Sequence, residues 1–311
     1  MDDFRLLMIS AMYENGGNLT HRTLDGHPDL YVYPFESQLG TRFVVDRLTS
    51  LFPNKYRWPE FPLGGNASDD YDSIIDEECK VRVRTPRVSK FKDFAMDLSD
   101  EERKKLFCAY IDRMGRSRGG NVEAFFRATF DAWHDCATSG RERVYVGYSP
   151  CIVVDTPRIA ADVAGAHVLH VVRNPWSAYA DTKRRPVPLP IDEYMLAWSV
   201  NQTCALAYTK AYPERVHVVR AEDVMADPRS ALAETCRALE IEADEAMDAP
   251  TWNGRRLDEI RPWGTIRTPS PDENVQTAKE LARSEVERIA QLAEPHLDRF
   301  GYRDLLRELT R

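Results

Sequence analysis

The fold of this chain is decided by the stretch Arg5-Leu-Leu-Met-Ile-Ser-Ala-Met-Tyr-Glu-Asn-Gly-Gly-Asn-Leu-Thr-His-Arg-Thr-Leu-Asp-Gly-His-Pro28. Its apolar run from Leu6 to Met12 predicts a buried strand. The run ends at the Gly16-Gly17 turn, after which Leu19 and Leu24 follow helical spacing. Glycine lets a backbone approach a ligand closely, and the free amides at the positive end of a helix attract anions. The stretch therefore predicts an anion site, although an ordinary βα turn has the same pattern.

Composition and charge narrow the class of protein. With 311 residues, the chain suffices for one large domain or two small ones. A net charge of −8 argues against nucleic-acid binding, because nucleic-acid-binding proteins carry a positive stripe that replaces counterions. No segment reaches the roughly 18 apolar residues of a membrane span, and no basic region precedes an apolar one at the N-terminus. We therefore expect a cytoplasmic protein that binds neither nucleic acid nor membrane.

The cysteines give no sign of a metal site. They are widely scattered and include no Cys-x-x-Cys pair. This spacing fits neither a zinc site nor a small disulfide framework. We expect reduced thiols and no bound metal.

Strands and helices alternate along the chain, which predicts an α/β fold of three layers with a central parallel sheet. Further strands are predicted at 31–35, 143–149, 167–172 and 215–220. Helices are predicted at 37–51, 97–114, from 121, at 157–165, from 175, at 191–212, 227–239 and 284–300. Residues 53–93 mix prolines, glycines and acidic clusters, with one potential strand at Lys80–Arg84. We interpret them as a loop-rich insert that shapes a substrate pocket. No break in composition marks a second domain, so residues 1–311 are predicted to form a single one.

Two stretches resemble the phosphate-binding segments of one enzyme family. Tyr13–Pro28 is similar to the 5′-phosphosulfate loop and following helix of the sulfotransferases, usually Pro-Arg-Ser-Gly-Thr-Thr-Leu-Leu and then Leu-Asp-x-His-Pro. His167–Pro175 is similar to the strand that ends in Val-Arg-Asp/Asn-Pro and holds the 3′-phosphate. That family moves the sulfuryl group of 3′-phosphoadenosine 5′-phosphosulfate (PAPS) to a hydroxyl or an amine. The resemblance implies its P-loop-NTPase-like fold.

Three further matches extend the resemblance over most of the chain. Asp155-Thr-Pro157 is similar to the family's Lys-Ser/Thr-Pro step, and Arg220–Pro228 to its Arg/Tyr-Glu-Asp-Leu-x-x-Asp-Pro stretch. Phe300-Gly-Tyr302 resembles its Leu-Gly-Tyr end. The matches follow family order at plausible spacing, which makes them more specific together than singly.

The resemblance assigns a set of donor-binding residues. The 5′-phosphosulfate is expected on the loop and first turn, Arg173 is expected to hold the 3′-phosphate with two guanidinium bonds, and a late arginine is expected to cover the cofactor, as the family's Arg-Lys-Gly segment does. An ordinary strand-end ion pair is the alternative for Arg173, and a solvated loop for the late arginines. The predicted donor-binding residues are Asn15, Gly16, Gly17, Asn18, Leu19, Thr20, Arg173, Asp181, Arg255 and Arg267, with Arg256 as a further candidate.

Several of these positions depart from the family pattern. The family's basic loop residue falls at Glu14, its serine at Asn15, and Thr-Thr at Gly17-Asn18. The serine eight residues after the 3′-phosphate arginine falls at Asp181. A carboxylate facing a phosphate costs on the order of 1 kcal/mol or more. Three explanations stay open: compensation by nearby cations, side chains that point away, or a different donor.

A base must take the acceptor's proton during transfer. Glu36 follows the second predicted strand, at the edge where parallel sheets form their ligand crevice, and some relatives carry a base glutamate nearby. A surface or helix-capping carboxylate is the alternative. Glu14 and His21 are the other candidate bases, while the Asp-x-His-Pro context of His27 favours a packing role.

The sequence thus predicts a PAPS-dependent sulfotransferase acting on a small-molecule acceptor. Two alternatives remain: the same fold with a different nucleotide donor, and a binding protein without catalysis. A kinase or ATPase is not supported, because the chain has no Gly-x-x-x-x-Gly-Lys-Ser/Thr loop. The acceptor stays unidentified and the oligomeric state open, a homo-oligomer included.

Overall fold

A parallel sheet of five strands forms the centre of the protein. The computed structural model describes residues 3–257 and 270–311. The strands are β1 (Arg5–Ala11), β2 (Leu30–Val32), β3 (Val144–Tyr148), β4 (Gly165–Val172) and β5 (Val216–Arg220). Their order β2-β3-β1-β4-β5 places β1 in the middle, with β3 and β4 on either side. The segments that follow these three strands therefore leave the sheet side by side at its carboxyl edge.

Helices surround this sheet. In chain order they are α1 (Gly17–Leu24), α2 (Ala67–Ser73), α3 (Glu77–Arg84), α4 (Asp100–Met114), α5 (Arg118–Asp131), α6 (Thr156–Asp162), α7 (Pro175–Thr182), α8 (Ile191–Ala211), α9 (Ala221–Ala226), α10 (Pro228–Ala238), α11 (Pro271–Ala278), α12 (Arg283–Leu297) and α13 (Arg303–Leu309). A short antiparallel hairpin, β6 (Thr251–Trp252) and β7 (Arg255–Arg256), follows α10.

Alternate residues of β1 face two separate hydrophobic cores, because side chains of a strand point to opposite faces in turn. Leu6 and Met8 pack in a core that includes residues of α4, α5, α8 and α12. Leu7 and Ile9 pack in a second core that includes residues of α1, α9 and α10. The sheet thus lies between two layers of helices, which confirms the predicted three-layer α/β fold.

Two of the predicted elements are wrong. Residues 37–51, predicted as a helix, are mainly extended or irregular, and only Arg47–Ser50 form a short 3₁₀ turn. The reason is tertiary pairing: the amide of Ile75 bonds to Gly40 O at 3.0 Å and that of Asp76 to Gln38 O at 2.9 Å. Residues Lys80–Arg84, predicted as a potential strand, belong to α3.

Near the C-terminus, helical segments are divided differently from the prediction. The predicted helix 227–239 is preceded by the separate α9. The final predicted helix ends earlier, at Leu297, and α13 follows after a turn at Gly301. Helix α11, which the sequence did not indicate, follows directly on Ser270, its N-cap residue.

The insert is anchored to the rest of the chain by buried charges. Asp76, with a φ of 37°, and Arg103 of α4 are both fully buried and lie 2.9 Å apart. The hydroxyl of Tyr33 donates to Asp76 Oδ1 at 2.7 Å. Asp155 accepts two bonds from Arg57, at 2.7 and 2.8 Å, and one from the amide of Trp58 at 2.8 Å. Asp155, which stands where the resembled family has lysine, thus holds the insert in place.

No helix within residues 3–257 and 270–311 combines the length and the apolar character needed to cross a membrane.

A stacked pair of histidines should make the fold sensitive to acid. The rings of His167 and His217 lie 5.8 Å apart and nearly parallel. Burial, helped by His217, Arg215 and Arg5 and opposed by Glu240, lowers the pKa of His167 to about 4. Burial also lowers the pKa of His217, and Glu234 opposes that shift. Below pH 6.5 the unfolded chain binds protons that the folded pair does not, so stability is lost as pH falls toward 4.

We expect the double change His167→Phe and His217→Phe to reduce the loss of unfolding free energy between pH 7 and pH 4.5 by about 1–3 kcal/mol. Urea unfolding at the two pH values measures this loss. Val45→Ala, at an exposed position without a titratable group, provides a control substitution that should leave the loss as it is. An equal loss in the double variant and the wild type would contradict the prediction.

Candidate functional site

The loop between β1 and α1 places the N-terminus of α1 at the carboxyl edge of the sheet. Gly16 has a φ of 86° and is the N-cap of α1. The first bond of the helix runs from Thr20 N to Gly16 O at 3.0 Å. The amides of Gly17, Asn18 and Leu19 precede that bond, so the helix itself gives them no acceptor. This end of α1 can therefore bind an anion.

The side chain of Asn15 holds the loop in shape. It is fully buried and its Oδ1 accepts bonds from Arg173 N at 3.1 Å and Trp198 Nε1 at 3.2 Å. Its Nδ2 donates to Tyr13 O and Tyr194 Oη, both at 2.9 Å. These contacts use the full hydrogen-bonding capacity of the side chain, so Asn15 fixes the geometry of the loop. The backbone nitrogen of Asn15 also bonds within the loop, to Met12 O at 3.0 Å.

Arg173 lies beside this loop, and its guanidinium is bound by the protein. Nη1 donates to Glu14 O at 2.9 Å and to Asp181 Oδ2 at 2.7 Å, while Nε donates to Asn274 Oδ1 at 2.6 Å. Arg173 is 1% exposed and Asp181 is 2% exposed. The structure thus brings the two predicted phosphate segments together, and it pairs their arginine with the carboxylate that stands in place of the family's serine.

A second arginine shares that carboxylate. Arg184 Nη1 lies 2.5 Å from Asp181 Oδ1, so Asp181 is held between two guanidinium groups. Compensation by nearby cations was one of the three explanations left open by the sequence, and Arg184 is such a cation.

Two residues that the sequence analysis did not assign complete this region. Asn274 of α11 is buried and bonds to Arg173. Glu222 Oε1 accepts from the amide and the side chain of Asn174 at 2.9 Å each and from Asn274 Nδ2 at 3.1 Å. Glu222 lies in the matched stretch Arg220–Pro228, so this motif could have indicated it. Nothing in the sequence of α11 indicated Asn274.

Glu36 follows β2 at the same edge of the sheet, where a second carboxylate faces it. Its backbone amide donates to Glu78 Oε2 at 3.2 Å, and Gln38 Nε2 donates to Glu36 Oε2 at 3.3 Å. Burial and the charge of Glu78, against the opposing effects of Lys90, Gln38 and Lys55, together raise the pKa of Glu36 to about 7. Glu78 itself pairs with Lys90. Glu36 therefore has the pKa that suits a general base near neutral pH.

The other two candidate bases lie in different surroundings. Glu14 has a φ of 61° and its Oε1 lies 4.0 Å from Arg185 Nε. His21 is fully buried in α1, within hydrogen-bonding distance of Arg22 Nη2. Burial lowers the pKa of His21, and Arg22 lowers it further, so the imidazole stays neutral.

The late arginines are not brought to the loop by any described contact. Arg255 is exposed in β7. The hairpin is fixed through Thr251, whose hydroxyl donates to Asp25 Oδ2 at 2.6 Å. Asp25 ends α1, so this anchor lies at the opposite end of the helix, about 12 Å from its start. Arg267 lies outside the described residues.

Within residues 3–257 and 270–311, no group of three or more His, Cys, Asp or Glu side chains is arranged to hold a metal ion.

Solved structures with a similar fold are sulfotransferase domains. The sulfotransferase domain of the Synechococcus PCC 7002 olefin synthase is 17% identical, with a TM-score of 0.50 over 95% of each chain. The sulfotransferase domain of the curacin biosynthetic pathway is 15% identical, with a TM-score of 0.47 over 94% of this chain and 98% of that one. Sulfotransferase STF9 from Mycobacterium avium is 13% identical, with a TM-score of 0.47 over 96% of this chain and 78% of that one.

At such identities the likeness shows the fold alone. No family profile matches the chain, and no curated protein matches it in sequence. The chain has the fold of sulfotransferase domains, as the sequence predicted.

Proposed function

We propose that this protein transfers the sulfuryl group of PAPS to a hydroxyl or amine of a small-molecule acceptor. The observation that carries the proposal is the placement of Glu36 and the amides of α1 at one edge of the sheet. β3 alone separates β2 from β1, so these two strands, which both lead to this edge, lie about 10 Å apart. That distance leaves room for a donor anion on the helix and an acceptor beside the base.

These residues position the reactants and stabilise the charge that develops during transfer. The amides of Gly17, Asn18 and Leu19 bind the 5′-phosphosulfate. The acceptor oxygen or nitrogen attacks sulfur, the sulfur–oxygen bond to the 5′-phosphate breaks, and Glu36 takes the acceptor's proton. The products are the sulfated acceptor and adenosine 3′,5′-bisphosphate, and no metal takes part.

The Arg173–Asp181 pair favours a second candidate donor. Nη1 and Nε of Arg173 already bond to protein oxygens, so a 3′-phosphate that binds at Nη1 would have to displace the carboxylate of Asp181. A donor without that phosphate, adenosine 5′-phosphosulfate, needs no such displacement. The same transfer from this donor is therefore the alternative function.

Transfer of ³⁵S to a panel of phenols, sugars and amines tests both functions. Each donor is supplied in turn, and binding of adenosine 3′,5′-bisphosphate and adenosine 5′-monophosphate is measured by calorimetry without metal. Transfer from PAPS with tight bisphosphate binding supports the first function, and transfer only from the monophosphorylated donor supports the second. No transfer from either donor, with no heat from either product, would reject both in favour of a binding protein or of a donor such as ATP with Mg²⁺.

A further inference from the structure

Tyr148, the last residue of β3, lies directly against the start of α1. A Cβ placed on Gly17 would lie 2.4 Å from Cε2 and 2.6 Å from Oη of Tyr148. The ring of His21 packs on the same phenol, with ring centroids 5.7 Å apart. Tyr148 is 4% exposed, so its ring is fixed and its hydroxyl is held at the first turn of the helix.

The Tyr148 hydroxyl has no hydrogen-bond partner among residues 3–257 and 270–311, although the backbone oxygen of Tyr148 accepts from Ser37 N at 2.7 Å and Ser37 Oγ at 3.1 Å. A hydroxyl fixed beside open helix amides and left without a protein acceptor is suited to donate to a bound anion.

The surroundings keep this phenol protonated. Burial raises the pKa of Tyr148, and the charges of Glu36, Cys151, Glu14 and Glu78 raise it further. A phenol held in its neutral form is a hydrogen-bond donor and a poor base. The backbone of Tyr148 bonds to Ser37, the residue after Glu36, and its ring contacts the first turn of α1. Tyr148 therefore lies between the proposed base and the proposed donor site.

We infer that Tyr148 is a catalytic residue whose hydroxyl donates a hydrogen bond to an oxygen of the sulfuryl group during its transfer. The inference rests on the proposed function. Negative charge spreads over the transferred group and the leaving phosphate, and a fixed donor at that point lowers the barrier. Tyr148 forms no covalent bond and keeps its proton, because the acceptor's proton goes to Glu36.

The test compares Tyr148→Phe with Tyr145→Phe. The first change removes the hydroxyl and keeps the ring that packs on Gly17 and His21. Tyr145 lies in the same strand but packs with Phe4 and Tyr31, so its change is the matched control. We expect Tyr148→Phe to lower kcat for ³⁵S transfer about 100-fold, with an unchanged melting temperature, and Tyr145→Phe to leave kcat within twofold. Wild-type kcat in a folded Tyr148→Phe variant would overturn the inference.

A binding measurement distinguishes failure of the inference about Tyr148 from failure of the proposed function. Inorganic pyrophosphate is the probe, titrated by calorimetry into the wild type and both variants. A Kd raised at least fivefold only in Tyr148→Phe supports the placement of the hydroxyl on the anion, even if neither sulfated donor is used and the proposed function is rejected. Equal Kd values together with equal kcat values would remove Tyr148 from the site while leaving the proposed function intact.

Discussion

Replacing Glu36 by glutamine is expected to lower kcat for sulfuryl transfer by about 10²–10⁴-fold, the range for loss of a general base. Glutamine keeps the shape of the side chain and its bond with Gln38, but it cannot accept the acceptor's proton. Affinity for the nucleotide product should not change, because the donor amides belong to α1. Initial rates of ³⁵S transfer and calorimetry with the product nucleotide measure the two quantities.

The pH dependence gives this prediction a second, independent readout. The pKa of about 7 for Glu36 means that the base form is lost as pH falls through 7, so kcat/KM should rise with pH and level off above it. Glu78→Gln removes a neighbouring charge that raises this pKa, and it should move the midpoint to lower pH. Glu101→Gln, a change at an exposed residue of α4, is the control for both. Full activity of Glu36→Gln would exclude it as the base.

The folded state should also tolerate Glu36→Gln well. A carboxyl whose pKa is raised on folding contributes stability below its unfolded pKa and loses it as pH rises through the folded value. At pH 8 the charged Glu36 is therefore a destabilising group, and the glutamine variant should unfold at the same or a higher temperature than the wild type. A large fall in its melting temperature would mean that lost activity reports misfolding.

Asp181→Ser is expected to tighten binding of adenosine 3′,5′-bisphosphate by about 10- to 100-fold, if the 3′-phosphate binds at Arg173. The carboxylate now lies 2.7 Å from Arg173 and 2.5 Å from Arg184. Its removal frees the bond that each guanidinium group makes to the carboxylate through Nη1, and a charge-assisted hydrogen bond to phosphate is worth about 1.5–3 kcal/mol. Calorimetry with the bisphosphate measures the gain. Adenosine 5′-monophosphate, which lacks the 3′-phosphate, is the control ligand and should gain nothing.

Stability should change in the opposite direction in that variant. Removing one partner of a buried ion pair leaves an uncompensated charge and costs about 3–5 kcal/mol. The variant without ligand should therefore unfold at a lower temperature, and saturating bisphosphate should restore part of the difference. Arg173→Ala should show a similar loss with no such rescue. Unchanged bisphosphate affinity in Asp181→Ser would place the 3′-phosphate elsewhere and favour the monophosphorylated donor.

The central sheet could be predicted because its information is local. Each strand is a short apolar run next to a turn, as at Leu6–Met12 and the Gly16-Gly17 turn, and alternation of strands with helices sets the parallel order. The insert could not be predicted in the same way. The apolar spacing of 37–51 is helical, yet hydrogen bonds from Ile75 and Asp76 hold its first part extended, and such long-range pairing leaves no local pattern.

The candidate site, like the fold, could be predicted from the sequence only in part. Motifs located the loop and Arg173, and the structure brings them within hydrogen-bond distance. Asp181, eight residues after Arg173, stands at a position that the family pattern marked, whereas the bond from Arg173 to Asn274 of α11 depends on packing between segments about 100 residues apart in the chain. Tyr148 and Glu78 are ordinary strand and helix residues in sequence, and only their contacts with Gly17 and Glu36 mark them.

The two hydrogen bonds from Arg57 to Asp155 limit how this protein can be re-engineered. Acceptor preference is commonly altered by exchanging a variable segment between relatives, and 53–93 is the obvious candidate here. A replacement segment without an arginine at the Arg57 position would remove the two hydrogen bonds that the buried Asp155 accepts from it, and one without an aspartate at the Asp76 position would leave the buried Arg103 with Asp100 as its remaining carboxylate partner. A successful chimaera must therefore carry both residues across, or change their partners in the same step.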